Sequence, residues 1–299
     1  MSELGEKVKT SIERLKAFEP QEGYHLAFSG GKDSVVCKAL LEMSGCKFDS
    51  SYRITSVDPP ELVQFIKERH PDVKLEYPRY SDGTVATMWN LIPKNKIPPT
   101  HLMRYCCKAL KESGGDGRMT VTGVRWAESV NRQKNQGMVT VMGKKAGKEL
   151  ADNPDFAAAK RGGVVLVNDN TDSRRMVEFC YKRHKTNVNP IIEWTNADVW
   201  DFIRSEGISY CGLYDDGFHR LGCIGCPLGG QHGREREFLR WPKYKAMYLR
   251  AFQKMLDERA KSPRTVNNKP WQTPMEVFNW WMQYDDLPGQ IDLLENEDG

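Results

Sequence analysis

The sequence predicts an α/β protein: a doubly wound parallel sheet with an inserted flap and a C-terminal helical region. Three observations carry this prediction. Short apolar runs alternate with stretches of helical periodicity, the pattern of a parallel sheet covered on both faces. The first apolar run stops at a glycine pair from which a helix starts. The chain of 299 residues is 39% hydrophobic and has 25 further glycines, enough for a sizeable core without disulfide staples.

Taken in order, Val8, Ile12, Leu15 and Phe18 form one apolar helical face, so residues 1–20 read as an N-terminal helix. The run YHLAF (24–28) reads as a strand ending at Ser29-Gly30-Gly31. Val35, Val36, Ala39, Leu40 and Met43 then carry a helix to Gly45. Residues 51–57 predict a second strand, Pro60–Arg69 a helix, 73–77 a third strand, 119–124 a fourth, and Ala197–Ser205 another helix. Together these define one α/β domain over 21–230. Inside it, about 131–170 is rich in Gly, Lys and Asn with short β-like runs (MVTVM, VVLV), which predicts an inserted hairpin or mobile flap. Residues 231–299 read as a helical, basic region with an acidic tail.

Charge and cysteine content narrow the class. Lys+Arg number 44 against 40 Asp+Glu, and a net charge of +4 is too small to identify a nucleic-acid binder. The charge is segregated, however: residues 234–269 hold eleven Lys/Arg and four Asp/Glu, and 285–299 hold six acids and no base. Basic residues interleaved with Trp241, Tyr244 and Tyr248 suit a nucleic-acid backbone, and a solvated helix face with those aromatics in the core explains them equally well. Lys134, Lys144, Lys145 and Lys148 of the flap lean toward the first reading. Trp271, Trp280 and Trp281 read as core or partner-docking residues. Eight cysteines are far too few for a disulfide scaffold. The sequence has no apolar run long enough to span a membrane, and it starts with a charged amphipathic helix rather than a signal peptide. The expectation is a cytoplasmic protein with no membrane partner, in which free thiols act as metal ligands or redox groups.

Ser29-Gly30-Gly31-Lys32-Asp33-Ser34 lies between strand and helix. Glycines let the backbone turn and approach a ligand closely, and the helix start offers unpaired N–H groups to an anion. Lys32 adds a charge, and Ser29 and Ser34 add hydroxyls, so the turn reads as a phosphate cradle. A tight turn whose glycines serve geometry alone is the competing reading. It is not a Walker A loop, which needs glycine where Leu26 stands and a hydroxyl where Asp33 stands. Asp33 can help position a metal or simply favour the helix dipole. Arg125 and Arg132, just past the fourth strand, sit where such sheets hold ligands and can clamp a phosphate, or are surface arginines without such duty. Asp58 can meet ribose or a metal, or belong to an Asp-Pro-Pro turn.

The SGGKDS turn resembles the PP-loop of ATP pyrophosphatases, which cleave ATP between the α- and β-phosphates. Arg104-Tyr-Cys-Cys-Lys108, Val121-Thr-Gly-Val-Arg-Trp-Ala-Glu-Ser-Val-Asn-Arg132, Asn189-Pro-Ile-Ile-Glu-Trp-Thr-Asn-Ala-Asp-Val-Trp200 and the Cys223–Cys226 pair extend the likeness. Together they resemble the phosphoadenylylsulfate (PAPS) reductase family over about residues 20–230. That family includes sulfonucleotide reductases and the ATP-pyrophosphatase components of DNA phosphorothioation systems. The fold so implied is adenine nucleotide α-hydrolase-like.

Cys106-Cys107 and Cys223-Ile-Gly-Cys226, about 115 residues apart, supply four thiolates for zinc or a [4Fe–4S] cluster. Vicinal side chains diverge, which suits the separated irons of a cubane better than one Zn²⁺. The family's iron–sulfur reductases carry a similar Cys-Cys and distant C-x-x-C. A redox dithiol and unligated cysteines are the alternatives. Gly222, Gly225 and Pro227 favour a tight ligand loop that lets backbone N–H groups approach sulfur. Cys37, Cys46, Cys180 and Cys211 read as buried hydrophobes. Reductases of the family use a further cysteine after the C-x-x-C to attack sulfur, whereas Cys226 is the last cysteine here. Reductases also tend to carry a degenerate loop, and this chain keeps SGGKDS. Both departures direct the expectation to ATP, with Mg²⁺, and adenylylation of an acceptor before sulfur transfer. The acceptor is expected to be DNA or another nucleic acid, with a cysteine desulfurase or other sulfur-donor protein as partner. A sulfonucleotide reductase and a non-catalytic nucleotide-binding subunit are the alternatives.

Overall fold

A computed structural model describes residues 2–112, 117–150, 152–159, 163–168, 177, 184–261 and 271–283. Cys180, parts of the expected flap, residues 262–269 of the basic run and the acidic tail lie outside the described residues. The chain divides into two compact units. The first comprises Met1–Arg53, Pro59–Glu76 and Ser113–Gly222; the second comprises Ile54–Asp58, Tyr77–Glu112 and Cys223–Gly299. No helix among the described residues is long and apolar enough to cross a membrane.

In the first unit, α1 (Glu3–Ala17) starts where the Ser2 side chain accepts from the Gly5 N–H, with acids in its first turn and bases in its last. Its buried Ser11 donates to the Pro190 carbonyl at 2.8 Å and accepts from the Trp194 indole at 3.2 Å. β1 (Tyr24–Ala27) is joined to α1 by the Tyr24 hydroxyl, which donates to the Leu15 carbonyl at 2.8 Å. α2 (Lys32–Ser44) follows and ends at Gly45, whose φ of 71° closes the helix in the left-handed region. Next come β2 (Phe48–Arg53), α3 (Pro60–Arg69) and β3 (Lys74–Glu76). β2 is out of step with the expected 51–57 because its first residue, Phe48, pairs with Tyr24, and the chain leaves the sheet after Arg53.

β4 (Met119–Val121) lies on the other side of β1, and the strand order is β3-β2-β1-β4-β8-β5-β7-β6. β3, β2, β1, β4 and β8 (Thr186–Val188) run parallel. The reversal of strand order between β1 and β4 opens a crevice at their carboxyl ends, the place where such sheets hold ligands. Both the 29–34 turn and the chain after β4 emerge there.

The expected flap departs from the prediction. Its apolar runs form β5 (Val139–Met142), antiparallel to β8, and β7 (Gly163–Leu166), antiparallel to β5, which extend the main sheet with β6 (Phe156–Ala158) at the edge. The sheet is therefore mixed rather than wholly parallel. Val139, Val141, Val164 and Leu166 are buried, and a detached two-stranded hairpin has no second layer to cover such residues. Among the described residues, this unit also contains α6 (Val130–Asn135), α7 (Lys144–Glu149) and α8 (Asn196–Ser205). α8 begins with a capping box between Thr195 and Asp198.

The second unit contains α4 (Met88–Asn95), α5 (Tyr105–Leu110), α9 (Gly230–Arg240), α10 (Pro242–Ala260) and α11 (Pro274–Met282). Residues 77–112 and 223–230 group with the C-terminal helices because α10 packs along α4 and α11. Tyr248 lies 4.7 Å from Trp281 between ring centroids, with Phe238, Phe252 and Phe278 around them. Trp241, Tyr248, Trp271 and Trp281 are buried, so these aromatics of the basic region are core. Arg234 and Arg259 are buried too, donating to the carbonyls of Trp281 and Lys96.

Leu26, on the central strand between Ser50 and Val121, is fully buried. Leu26→Ala is expected to cost about 2–5 kcal/mol, read as a lowered urea midpoint. A loss below about 1 kcal/mol would contradict this placement of the core.

Candidate nucleotide site

The local structure of the 29–34 turn follows from its residues. Gly30 has φ of 71°, and a Cβ there would lie 2.7 Å from Leu62 Cδ1, so it needs glycine for both conformation and space. Gly31 has an ordinary φ of −78°; a Cβ on it would sit 3.4 Å from the Tyr214 hydroxyl. The serines brace the loop. Ser34 Oγ donates to the Gly31 carbonyl at 2.9 Å and accepts from the Ser29 N–H at 3.2 Å and the Ser29 hydroxyl at 3.1 Å. The Lys32 N–H donates to the Tyr214 hydroxyl at 2.9 Å. Among the described residues, the Gly30 and Asp33 N–H groups meet no acceptor. The Asp33 N–H is an orphan donor of the helix start, and that of Gly30 lies just before the N-cap Gly31.

Three charged side chains lock together here. Asp33 accepts from Lys32 Nζ at 2.8 Å through one oxygen and from Arg125 Nε at 2.6 Å through the other. Arg125 is 3% exposed and also donates to the Trp194 carbonyl at 3.2 Å, while its own N–H donates to Glu128 at 3.0 Å. Glu128 in turn pairs with Arg132. Arg125 and Arg132 both lie beyond the fourth strand, and a glycine absent from the predicted site permits the arrangement. A Cβ on Gly123 would lie 2.9 Å from Asp33 Cβ and 3.0 Å from its carbonyl, so only glycine lets the β4 exit lie against the start of α2.

These groups line one cavity of about 490 Å³ in the first unit, within the range of small-ligand sites. Ser29, Gly31, Lys32, Asp33 and Ser34 form one wall, Gly123, Arg125, Glu128 and Arg132 another, and Asn196, Tyr214, His219, Arg220 and Leu221 complete it. Four Lys/Arg against two acids leave the lining net positive. Tyr214, His219 and Arg220 are absent from the predicted site. The signal for Tyr214 is long-range, since it bonds Lys32 across 182 residues of sequence.

Asp58 is not among the lining residues. It belongs to the second unit, where its carboxylate accepts from the Thr55 N–H at 2.6 Å and the Thr55 hydroxyl at 2.7 Å, so the turn reading describes its geometry.

Cys106, Cys107, Cys223 and Cys226 all fall in the second unit as free thiols. Hydrogen bonding with Cys107, burial and then the Cys107, Cys223 and Cys226 sulfurs push the Cys106 thiol up. Hydrogen bonding from Cys106, with the Arg104 guanidinium 3.6 Å from its sulfur, pulls Cys107 down to about 5. The Cys223 sulfur raises Lys111. Arg104 and Lys111 thus place positive charge beside Cys107 and Cys223. Among the described residues, no three His, Cys, Asp or Glu side chains are placed to hold a single metal ion. The expected approach of backbone N–H groups to sulfur takes a different form at Gly225. Its N–H donates to Glu237 at 2.6 Å, and a Cβ there would strike Phe238 and Trp281, so this glycine serves close packing. Cys37, Cys46 and Cys211 are buried, as expected.

Gly123→Ala is expected to cost about 1–3 kcal/mol and to weaken anion binding, because the clash is with Asp33 backbone. Gly31→Ala is expected to stay within about 0.5 kcal/mol, and equal urea midpoints for the two variants would contradict the assignment.

Comparison with known proteins follows this geometry. Two uncharacterized proteins of Methanocaldococcus jannaschii are each 26% identical, over 253 and 240 residues, or 79% and 77% of this chain. The chain spans 42% and 46% of their lengths. An adenosine 5'-phosphosulfate reductase of Oceanobacillus iheyensis is 33% identical over 79 residues, 25% of this chain and 33% of that protein. Among solved structures, a PAPS reductase of Candida auris aligns with TM-score 0.40 at 14% identity, over 75% of this chain and 96% of that one. FMN adenylyltransferase of Candida glabrata aligns with TM-score 0.43 at 14% identity, over 74% and 64%. Residues 23–228 match the phosphoadenosine phosphosulfate reductase domain, and the chain belongs to that family.

Proposed function

We propose that the protein is a PP-loop ATP pyrophosphatase that activates an acceptor by adenylylation for sulfur transfer. The observation that carries this reading is the pair of unpartnered N–H groups at Gly30 and Asp33, in the loop whose Ser29, Gly31, Lys32, Asp33 and Ser34 line a net-positive cavity together with Arg125. A nucleotide's phosphates complete such a site by accepting those N–H bonds and meeting the lysine charge. Asp33 orients Lys32 and Arg125 before the ligand arrives, so the cations incur little reorganisation when charge develops on the leaving pyrophosphate. The acceptor oxygen attacks the α-phosphorus, the bond to the β-phosphate oxygen breaks, and pyrophosphate leaves. Catalysis of this kind is mainly positioning and electrostatics. Both Asp33 oxygens are engaged by cations, so Mg²⁺ is proposed to enter on the phosphates themselves, where it would offset charge on the leaving group.

Cys106, Cys107, Cys223 and Cys226 are proposed to hold a [4Fe–4S] cluster, with Zn²⁺ as the alternative; the four-thiol set with Arg104 and Lys111 supports an anionic centre. Such a cluster supplies a redox or structural centre when bound. For the acceptor we propose DNA phosphate, with a cysteine desulfurase as sulfur donor. Support for DNA is limited to the exposed bases Arg236, Arg240, Lys243 and Arg250, since Trp241 and Tyr248 are core rather than stacking platforms. The partial likeness to a sulfonucleotide reductase favours sulfite release from APS or PAPS as the second reading.

The test combines turnover with metal content. Anaerobically reconstituted protein given Mg·ATP and DNA is expected to release pyrophosphate, and Lys32→Ala to lower the rate by at least about a hundredfold with iron content unchanged. Unaltered turnover in Lys32→Ala would remove the loop assignment. Sulfite from APS or PAPS with thioredoxin, and no pyrophosphate from ATP, would establish the second reading. Colourless protein with stoichiometric zinc would replace the cluster.

A further inference from the structure

Tyr214 ends a single 3-10 turn, Gly212–Tyr214, in the first unit and has no place in the reading above. Its ring is held edge-on by Trp200 of α8, 5.1 Å between centroids at 85°, and by Tyr210 at 6.4 Å. The hydroxyl reaches the start of α2 and accepts the Lys32 N–H at 2.9 Å. Among the described residues that is its only hydrogen bond, so the phenolic proton has no protein acceptor. Tyr214 also lines the cavity that Lys32, Asp33 and Arg125 line. Burial, foremost, raises the phenol above its ordinary range, so it keeps its proton at neutral pH.

An O–H that accepts at its oxygen from a helix-start N–H, and whose proton is directed at nothing in the protein, is polarised to donate. The neighbouring unpartnered donors, Gly30 N–H and Asp33 N–H, need an acceptor of the same kind. We propose that Tyr214 is a phosphate-positioning residue, whose hydroxyl takes the Lys32 N–H and donates its own proton to a phosphate oxygen of the bound nucleotide. Tyr214 thus converts one N–H of the α2 start into an O–H donor set further into the cavity. This inference rests on the nucleotide reading of the cavity and names one more residue that recognises the phosphates.

The experiment is calorimetric titration of the whole chain with inorganic pyrophosphate, and with adenosine as the ligand lacking phosphate. Tyr214→Phe keeps the ring and its packing on Trp200, and Tyr214→Leu removes both ring and hydroxyl. Wild type is expected to bind pyrophosphate, Tyr214→Phe to bind it about tenfold more weakly, and adenosine affinity to be unchanged in Tyr214→Phe. If Tyr214→Phe matches wild type while Tyr214→Leu fails, the residue is packing alone and the proposal is wrong. Tighter pyrophosphate binding by Tyr214→Phe would also overturn it, because the hydroxyl would then be a competitor for the helix start. Absence of pyrophosphate binding by wild type would instead remove the nucleotide reading itself. Far-ultraviolet circular dichroism and unliganded thermal midpoints confirm that each variant is folded.

Discussion

The bond on which the rest of the first unit's site depends is the one between Asp33 and Arg125, 2.6 Å long and nearly sealed from solvent on the arginine side. It connects the first turn of α2 to the chain leaving β4, on the two sides of the crevice that the strand order opens. A charge-assisted bond of this kind has directional strength that two packed apolar residues lack. Removing the carboxylate would leave a buried guanidinium with a backbone carbonyl as its main partner, which is why such pairs are costly to break. Gly123 permits the approach, and Lys32 is held by the other oxygen of the same carboxylate. One aspartate therefore sets the position of two of the four cations that line the cavity. The same constraint explains why the helix start keeps free donors: its Asp33 side chain is turned toward cations instead of capping the Gly30 or Asp33 N–H.

Much of this was legible in the sequence, for physical reasons that differ by element. The period of 3.6 in 6–18 and Pro60–Arg69, and the glycine stop at Gly45, are local signals, and α1, α2 and α3 follow them. The 29–34 turn was legible because the glycines, the lysine and the following helix lie within a few residues of one another. β5 and β7 read as an inserted hairpin or mobile flap because the runs lie close together in sequence, whereas the pairing of β5 with β8 joins residues about fifty apart. Tyr214 and Gly123 were missed for a related reason. Their partners, Lys32 and Asp33, are far away in the chain, and nothing in either residue's immediate neighbours signals the contact. Asp58 shows the converse, since an acid at a strand end carries the same local pattern whether it meets a ligand or, as here, Thr55.

The second unit obeys a different constraint. Its aromatics are committed to packing around Tyr248 and Trp281, and that packing holds the cysteine turn: the Tyr248 hydroxyl donates to the Ile224 carbonyl at 2.8 Å, and Gly225 lies against the rings. The Ile224 N–H donates to the Val57 carbonyl at 2.7 Å, and the Cys223 thiol lies 3.5 Å from the Thr55 hydroxyl. The basic helices therefore carry two roles on separate faces. Arg234 and Arg259 serve the interior, and Arg236, Arg240 and Lys243 face solvent. Composition alone could not divide them, because a buried and an exposed arginine count the same.

The central claim is that the start of α2 is an anion seat made by Gly30 and Asp33 N–H groups beside Lys32 and Arg125. Amide chemical shifts of nitrogen-15-labelled protein, followed while pyrophosphate is added, test it most directly. The account predicts saturable downfield movement of the Gly30 and Asp33 amide protons, with the other large changes confined to residues lining this cavity. Shifts that leave Gly30 and Asp33 in place and centre on another basic surface, such as Arg69 and Arg204, would contradict it.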